Sequence, residues 1–356
     1  MSKKTVAIIF GGYSPEYDVS LKSSYSIINA IDREKYSVIL VGITRKGKWY
    51  RYSGPVDDIP VDKWHLDKSL LATAFISPER GGGLIEFREG AALSVPVDVV
   101  FPVLHGRYGE DGTIQGLCEL AGIPVVGAGS ASSALCMDKD RSHKLASLAG
   151  ITVPKSVCFE YRAPDEEILS AARTLKLPLF VKPLKAGSSI GVSKIMDYTE
   201  LPDAVADAFR YDDAVMIEEG IDGTEVGCAV VGNRELRTGR VDEIEVSEGF
   251  FSYEEKYSLK TSKIHVPARI DSDSEARVQE AAKTVYCVLG CSGYARMDMF
   301  LGKDGEIFLL EANTIPGFTP FSQFPRMMKA VGVEYPELVD MLIELGLDVA
   351  RGEWYG

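Results

Sequence analysis

The chain has 356 residues, of which 46% are hydrophobic and 26% are charged, and its formal net charge is −13. This length suffices for two or three domains, and the composition is that of an ordinary globular protein. The negative charge and the lack of a Lys/Arg run argue against a nucleic-acid partner, and no apolar stretch has the length of a membrane-spanning helix.

Cysteine usage and the first residues indicate the compartment. None of the six cysteines forms a Cys-x-x-Cys pair and most have apolar neighbours, so we expect reduced core thiols rather than disulfides or metal ligands. The apolar residues 5–10 are too few for the core of an export signal and run directly into Gly11, which favours a first β-strand. We therefore expect a cytoplasmic protein with no membrane partner.

The first section of the chain, residues 1–127, alternates predicted strands and helices. Its apolar runs are typical of buried parallel strands, and one segment between them has apolar residues at helical spacing. This order predicts an open α/β sheet with functional loops at the carboxyl ends of its strands. The predicted elements are strands at 5–10, 37–43 and 97–103, a helix near 18–31, and a helix that follows the loop at 105–112 and ends at Gly122.

Two further sections follow, at residues 128–217 and 218–356. Neither contains a repeat or a flexible linker, so we expect an α/β (α+β) protein whose sections pack together around a ligand-binding cleft. In the middle section the predicted helices are at 138–149, 164–175 and 199–210, and the strands at 155–160, 178–183, 190–195 and 214–218. In the last section the predicted elements are strands at 225–231 and 237–246, a Phe/Tyr-rich loop near 248–262, a helix at 272–289, a hairpin at 296–313 and a helix near 335–350.

The hairpin is the most informative of these elements. Its Asp304-Gly305 dipeptide is typical of a two-residue turn in which both residues have positive φ. Because side chains alternate between the faces of a strand, such a turn determines which residues share a face. The predicted pairs are Lys303 with Glu306, Phe300 with Leu309, Asp298 with Glu311, and Arg296 with Asn313.

The facing pair Asp298 and Glu311 predicts a metal site. Like charges that face each other destabilise a hairpin unless positive charge lies between them. The surrounding residues are apolar, which indicates a sheet buried on both faces, where unneutralised carboxylates are very unfavourable. A hard divalent cation such as Mg²⁺, held by oxygens of Asp298, Glu311 and Asn313, would neutralise them. The alternative is a solvated polar face on an edge hairpin.

A loop of small residues follows Lys182, which ends an apolar strand. Gly187 and Gly191 allow backbone N–H groups to converge on phosphate oxygens, and Ser188 and Ser189 add hydroxyl donors. A lysine at the end of a buried strand also needs an anion. We predict a hairpin lid over phosphates, with a plain tight hairpin as the alternative.

Other segments are weaker candidates. Residues 125–132 nearly match a dinucleotide-binding fingerprint, but a glycine and the distal acidic residue are missing, which favours an inter-domain turn over an NAD site. Residues 216–221 with Glu225 either hold adenine and ribose or form a solvated acidic linker. The aromatic residues of 250–257 predict a lid over a ligand, or core anchors. His105 is a candidate catalytic residue, or only stabilises its glycine-rich loop.

Ordered motifs along nearly the whole chain carry a family resemblance. The chain resembles the D-alanine–D-alanine ligases, which are ATP-grasp enzymes, and residues 133–141 and 241–244 are similar to the vancomycin-resistance branch that makes D-alanyl-D-serine. The motifs are Phe10-Gly11-Gly12 with Ser14 and Glu16, Leu104-His105-Gly106, Gly109-Glu110-Asp111-Gly112-Thr113, Met137-Asp138-Lys139, Gly187-Ser188-Ser189-Ile190-Gly191, Glu255-Lys256-Tyr257, Arg296-Met297-Asp298, and Glu311-Ala312-Asn313-Thr314-Ile315-Pro316-Gly317-Phe318-Thr319.

The resemblance implies an ATP-grasp fold in three parts. Residues 1–127 would form an N-terminal α/β substrate domain, 128–217 a central ATP-grasp subdomain with the phosphate loop, and 218–356 a C-terminal ATP-grasp subdomain with the metal site and the lid. A homodimer through the N-terminal section is also implied.

The implied reaction joins two D-amino acids for peptidoglycan precursor synthesis. ATP phosphorylates the carboxylate of a first D-alanine, and the amine of a second D-alanine attacks the acyl phosphate through a tetrahedral intermediate. Two Mg²⁺ ions, with Mn²⁺ as a substitute, are the implied cofactors beside ATP. A D-alanine–D-serine ligase is the main alternative; a non-catalytic ATP-grasp protein and an NAD-binding oxidoreductase are remote ones.

The resemblance also implies a role for individual side chains. In the implied catalytic site, Glu16 binds the ammonium group of the first D-alanine, and Arg296 and the Gly317 N–H stabilise the oxyanion. Lys256 and Ser322 hold the carboxylate of the second substrate. Glu16, Ser188 and Tyr257 form a hydrogen-bonded trio that closes the lid. In the implied nucleotide site, Lys139 and Lys182 neutralise the phosphates, and the loop over the phosphates contains Gly187, Ser189 and Gly191. Adenine and ribose are held by Glu218, Glu219, Ile221 and Glu225. The base is sandwiched by Phe250, Phe300 and Leu310.

The chain departs from the family pattern after Thr319. It reads Pro320-Phe321-Ser322-Gln323, where the family usually has Ser-His-Ser or Ser-Tyr-Ser followed by Leu or Arg. The resistance ligases have arginine at the position of Gln323, so this residue speaks against D-serine. The retained Lys256-Tyr257 pair speaks against D-lactate as the second substrate. Tyr13, where a small polar residue is usual, alters the pocket for the first substrate.

Overall fold

The computed structural model describes residues 3–246 and 262–350, and three β-sheets organise this part of the chain. Among these residues no helix is both long and apolar enough to cross a membrane. The helices are α1 (Tyr17–Ala30), α2 (Thr113–Ala121), α3 (Ser130–Met137), α4 (Lys139–Leu148), α5 (Asp165–Ala172), α6 (Leu201–Ala208), α7 (Ser272–Val288), α8 (Gln323–Lys329) and α9 (Tyr335–Ala350).

The first sheet has its parallel strands at one end and a meander at the other. Its strands are β1 (Lys4–Gly11), β2 (Tyr36–Ile43), β3 (Trp49–Tyr52), β4 (Leu71–Ile76), β5 (Leu84–Arg88), β6 (Ala91–Val95) and β7 (Val99–Val103). They lie in the order β6-β5-β4-β3-β2-β1-β7, with β1 parallel to both β2 and β7. Because β1 lies between β2 and β7 and is covered on both faces, its residues 6–10 are fully buried.

The second and third sheets are antiparallel. The second contains β8 (Ser156–Phe159), β9 (Leu179–Pro183), β10 (Ser193–Ile195) and β11 (Val215–Glu219), in the order β10-β9-β11-β8. The third contains β12 (Gly223–Val231), β13 (Arg237–Thr238), β14 (Asp242–Val246), β15 (Ser262–His265), β16 (Tyr294–Gly302) and β17 (Ile307–Asn313). Its order is β15-β14-β12-β16-β17, and β13 pairs with β12 outside that path.

The largest apolar core lies between the first sheet and the C-terminal helices. Phe10, Phe101, Phe318 and Phe324 are all buried in it. The Phe318 ring packs edge-on against Tyr294 at a centroid distance of 5.7 Å. Burying each such side chain stabilises the fold by about 1.5–3 kcal/mol. This core therefore anchors the segment between β17 and α8 to the N-terminal sheet.

Most predicted elements are present, and the misses have local causes. Strands β4, β5 and β6 and the short helix α8 lie where no element was predicted. The strands are short and are separated by glycine-containing turns, and Pro325 lies inside α8, so the periodicity is hard to detect. Residues 125–132 form a turn, as predicted, but helix α3 begins within them at Ser130. Most of the predicted aromatic loop near 248–262 lies outside the described residues.

The turn between β16 and β17 differs from the prediction. The Gly302 N–H donates to Glu306 O at 2.8 Å, and the Gly305 N–H donates to Gly302 O at 2.8 Å, so the loop has three residues rather than two. Of Asp304 and Gly305, only Gly305 has positive φ, at 82°. This is the geometry of a turn closed by a left-handed glycine.

A β-bulge in β17 compensates for the longer turn. Leu310 has no partner on β16, and the register shifts by one residue there. The predicted pairs Lys303–Glu306 and Phe300–Leu309 are therefore wrong, whereas the two pairs beyond the bulge are as predicted. The observed pairs are Phe300 with Phe308, Met299 with Leu309, Asp298 with Glu311, and Arg296 with Asn313.

Candidate active site

Asp298 is a buried carboxylate whose charge is matched by Arg296 on the same face of β16. Arg296 Nε and Nη2 donate to the two Asp298 oxygens at 2.6 and 2.7 Å, and Asn313 Nδ2 donates to Asp298 Oδ2 at 2.8 Å. Such a bidentate pair is strong and fixes both side chains. Burial lowers the pKa of Arg296, but the charge of Asp298 and its hydrogen bonds outweigh that and raise it above its ordinary value.

Glu311, on the facing strand, lies beside a second cation. Lys139 Nζ is 3.3 Å from Glu311 Oε2 and donates to the Ala186 carbonyl at 2.8 Å. The two facing carboxylates are thus accompanied by Arg296 and Lys139. The sequence analysis did not foresee these two cations, because it considered the hairpin without the neighbouring α4 and without an ion pair along β16; the metal site stays a prediction.

Lys182 also has a carboxylate partner. Its Nζ donates to Glu218 Oε1 at 2.6 Å, and both side chains are buried. The anion that a buried lysine requires is therefore supplied by β11, next to β9 in the sheet. The other oxygen, Glu218 Oε2, is buried and has no hydrogen-bond partner among the described residues.

The predicted phosphate loop joins β9 to β10 and reaches the start of α1. Ser188 and Ser189 have positive φ, at 54° and 56°, which is uncommon for residues other than glycine. The Ser188 hydroxyl donates to Glu16 Oε1. Two members of the predicted trio are therefore in contact. A Cβ on Gly187 would lie 3.4 Å from Glu16 Oε2, so the loop lies close against this carboxylate.

A second carboxylate, Glu110, lies close enough to Glu16 for their negative charges to interact. Glu110 Oε2 accepts from the Gly106 N–H at 2.8 Å, and Oε1 accepts from the Ile315 N–H at 3.0 Å. Burial, reinforced by the negative charge of Glu16, raises the pKa of Glu110 to about 8. This residue links the loop after β7 to the segment after β17.

His105 makes two structural hydrogen bonds. Its Nδ1 lies 2.8 Å from the Ile315 carbonyl oxygen, and its Nε2 lies 3.1 Å from Ser23 Oγ. Burial lowers the pKa of His105 to about 4, so the ring is neutral at physiological pH. These contacts favour the loop-stabilising interpretation of His105.

The segment after β17 places Gly317 and Ser322 close together. A Cβ on Gly317 would lie 3.4 Å from Ser322 Oγ. Ser322 Oγ accepts from the Thr319 N–H at 3.0 Å and precedes the first residue of α8. That first residue, Gln323, has a buried Nε2 with no hydrogen-bond partner among the described residues.

A cavity of about 680 Å³ opens between the second and third sheets. It has the size of a small-molecule site. Nine of the predicted nucleotide-binding residues line it: Lys139, Lys182, Ser189, Glu218, Glu219, Ile221, Glu225, Phe300 and Leu310.

Two predicted loop glycines lie outside this cavity. Gly187 lines a smaller cavity of about 20 Å³ that shares Lys139, Ala186 and Glu311 with the larger one. Gly191 lines neither, and a Cβ on it would lie 2.5 Å from the Tyr211 ring, which indicates close packing. The predicted residues Phe250, Lys256 and Tyr257 fall outside the described part of the chain.

Comparison with known proteins agrees with this geometry. A family model described as the N-terminus of D-ala D-ala ligase matches residues 5–128, and one for its C-terminus matches residues 145–344. This chain belongs to the D-alanine–D-alanine ligase family. The family consists of ATP-dependent ligases that use a divalent metal, so the remote NAD-binding alternative is wrong.

Relatives within this family span both branches. The chain is 45% identical to vancomycin B-type resistance protein VanB of Enterococcus faecalis (98% of this chain and 100% of the relative covered) and 41% identical to D-alanine–D-alanine ligase of Caldicellulosiruptor bescii (99% and 97%). The crystal structure of VanG D-Ala:D-Ser ligase from Enterococcus faecalis superposes with a TM-score of 0.90 at 52% identity, covering 97% of this chain and 99% of that one. The ATP-grasp fold predicted from the sequence is confirmed.

The donor set on the β16–β17 hairpin suits the divalent metal that the family uses. Asp298, Glu311 and Asn313 present carboxylate and amide oxygens on one face of the sheet, and such oxygens are the ligands that Mg²⁺ and Mn²⁺ prefer. Over residues 3–246 and 262–350, no three His, Cys, Asp or Glu side chains converge as a metal-binding group. Mg²⁺ usually takes its remaining ligands from substrate phosphates and water.

Sequence reasoning missed that Asp242 is buried near Asp298. Asp242 on β14 and Asp298 on β16 flank Gly227 of β12, and a Cβ on Gly227 would lie 2.5 Å from Asp242 Oδ1. Asp242 is fully buried, and neither oxygen has a well-directed hydrogen-bond partner among the described residues. Burial raises the pKa of Asp242 to about 7. The family resemblance of residues 241–244 includes Asp242, but its position near Asp298 depends on the pairing of β14 and β16 with β12.

The pKa of His105 predicts how its contribution to stability varies with pH. Its value in the folded protein, about 4, lies below the ordinary value of about 6.5, so the unfolded chain binds the proton more readily. The stability that neutral His105 provides is present above pH 6.5 and is lost as the pH falls towards 4. We expect the difference in unfolding free energy between wild type and His105→Gln to shrink over this range. Urea unfolding at pH 7 and pH 5 measures it; a constant difference contradicts the burial of a neutral imidazole.

Proposed function

We propose that this chain joins two D-alanine molecules with ATP through an acyl phosphate intermediate. The observation that carries the proposal is the position of Lys139, which lines both cavities, lies 3.3 Å from Glu311 and donates to Ala186 in the phosphate loop. Glu16 lies on the other side of that loop, bonded to Ser188. A phosphoryl group leaving a nucleotide in the larger cavity would pass Lys139 towards a substrate held at Glu16.

The nucleotide would lie in the larger cavity. Phe300 and Leu310 supply apolar walls for the base. The unpartnered Glu218 Oε2 is a hydrogen-bond acceptor that suits the exocyclic amine of adenine, and Glu225 suits the ribose hydroxyls. Lys139 and Lys182 would bind the phosphates by exchanging part of their carboxylate pairing for phosphate oxygens. The contact of Phe250 with the base stays a prediction.

Two divalent ions would be held by Asp298, Glu311 and Asn313. When bound, such ions neutralise phosphate charge and stabilise the charge that develops during phosphoryl transfer. The protein positions these three oxygen donors by the ladder register and by the Arg296–Asp298 pair.

The amide-forming step would use groups around the phosphate loop. Glu16 would bind the ammonium group of the first D-alanine, and Arg296 and the Gly317 N–H would stabilise the oxyanion of the tetrahedral intermediate. Ser322, with Lys256, would hold the carboxylate of the second substrate.

D-Serine as the second substrate is the alternative, and similarity to a relative that uses it favours this alternative. The relative VanG is a D-Ala:D-Ser ligase.

The deciding experiment measures ADP release and product mass. The purified protein with ATP, Mg²⁺ and D-alanine should release ADP and form D-alanyl-D-alanine. Competing reactions with D-serine or D-lactate then assign the second substrate by the mass of the product. If no dipeptide forms with any D-amino acid, the proposed function is wrong.

Substitution of Glu311 tests the metal site. Glu311→Gln keeps the shape of the side chain but removes the charge, so we expect kcat to fall at least about 100-fold while circular dichroism stays unchanged. Glu306→Gln, an exposed change in the same hairpin, is the control and should retain activity. EDTA should abolish wild-type activity, and Mn²⁺ should restore it. Full activity of Glu311→Gln would refute the assignment.

We also propose a cytoplasmic homodimer that associates through the N-terminal section, with domains at 1–127, 128–217 and 218–356. Exposed apolar side chains on β4, β5 and β6, namely Phe75, Phe87 and Leu93, support association through the first sheet.

Sedimentation equilibrium tests the assembly. At micromolar concentration we expect twice the chain mass of 38.9 kDa. A monomer mass under these conditions contradicts the dimer.

A further inference from the structure

Four side chains bind the backbone on either side of Gly317. We infer that they are positioning residues, which fix the Gly317 N–H where the oxyanion of the reaction develops: Ser23, His105, Glu110 and Tyr335. The inference rests on the proposed function, in which Gly317 donates to that oxyanion.

Ile315, two residues before Gly317, is held at both of its backbone polar groups. Its N–H donates to Glu110 Oε1 at 3.0 Å, and its carbonyl oxygen lies 2.8 Å from His105 Nδ1. Both partners belong to the loop after β7, more than 200 residues earlier in the chain. The Ile315 peptide groups are therefore fixed relative to the N-terminal sheet.

Phe318, directly after Gly317, is held in the same way. Its N–H donates to Ser23 Oγ on α1 at 3.2 Å, and its carbonyl oxygen accepts from the Tyr335 hydroxyl on α9 at 2.7 Å. The Phe318 side chain is buried in the largest core. The only residues between the two held positions are Pro316 and Gly317, and the proline ring restricts the first of them.

The donors and acceptors of this frame are mutually consistent. A carbonyl oxygen can only accept, so His105 Nδ1 donates to Ile315. Because the buried ring is neutral, Nε2 is then an acceptor, and it receives the Ser23 hydroxyl proton at 3.1 Å. Ser23 Oγ is left with lone pairs for the Phe318 N–H. Glu110 completes the frame, because its second oxygen binds Gly106, the neighbour of His105.

A rigid frame at this position has a chemical consequence. A hydrogen-bond donor that is already oriented stabilises an oxyanion without reorganisation during the reaction. The hydrogen bonds of the four side chains orient a donor for the transition state and do not contact the nucleotide. We therefore expect their loss to lower kcat rather than to weaken nucleotide binding.

Two pairs of matched variants test the frame. Tyr335→Phe removes the bond to Phe318; its control, Tyr286→Phe, removes a buried hydroxyl that donates to the Gly232 carbonyl at 2.7 Å, outside the frame. Ser23→Ala removes the bonds to Phe318 and His105; its control, Ser24→Ala, removes a buried hydroxyl that donates to Leu21 at 3.0 Å on the same helix. The two tyrosine variants each lose one buried hydrogen bond of 2.7 Å, so their thermal midpoints should fall similarly. Ser23→Ala loses two bonds and Ser24→Ala one, so the midpoint of Ser23→Ala should fall further.

The kinetic readout separates positioning from ordinary stabilisation. We expect Tyr335→Phe and Ser23→Ala to lower kcat by about 10- to 100-fold, with KM for ATP within twofold of wild type, and both controls to keep wild-type kcat. A dipeptide phosphinate inhibitor, whose tetrahedral phosphorus group imitates the intermediate, should bind the two frame variants more weakly by a similar factor.

Two outcomes would overturn the inference. If both frame variants keep kcat within twofold of wild type, or if they raise KM for ATP at unchanged kcat, the four residues are not positioning residues. A wild-type protein that forms no dipeptide overturns the proposed function itself, and the inference falls with it. If the wild type forms the dipeptide and the frame variants are fully active, the inference is wrong and the proposed function stands.

Discussion

The ion pair between Arg296 and Asp298 is the interaction on which the rest of the site depends. The two side chains lie two residues apart on one buried strand and form two hydrogen bonds, with Asn313 adding a third to the same carboxylate. Removing one partner of a buried pair destabilises a protein by about 3–5 kcal/mol, because the remaining charge is left unpaired in a dry interior. The pair therefore allows a carboxylate to occupy this face and also fixes the Arg296 side chain.

The same constraint explains how a chain with a net charge of −13 binds an anionic nucleotide. Lys182 is paired with Glu218, and Lys139 lies beside Glu311, so the cations that phosphates need are kept in place by carboxylates. A lysine held in this way loses little side-chain entropy when a phosphate arrives. Local pairing, and not the global charge, determines what the cavity binds.

The hairpin shows how a prediction from sequence can be right at the site and wrong near the turn. The Asp304-Gly305 dipeptide predicted a two-residue loop, and the structure has three loop residues and a bulge at Leu310. These two differences cancel, so Asp298 still faces Glu311. A bulge depends on contacts outside the hairpin: Leu309 donates to Thr152, and the Leu310 carbonyl lies 2.9 Å from His143 Nε2. Local sequence carries no information about such contacts.

The sequence by itself determined the family, the order of most strands and helices, and most of the polar residues that line the larger cavity, because these follow from motifs and from periodicity within short segments. Only the tertiary structure decided which charges are paired, where Glu110 and Asp242 lie, and that His105 holds the Ile315 backbone. These facts arise from contacts between residues up to 210 positions apart. The physical reason is that burial and partner choice depend on how the sheets pack, and spacing along the chain does not specify that packing.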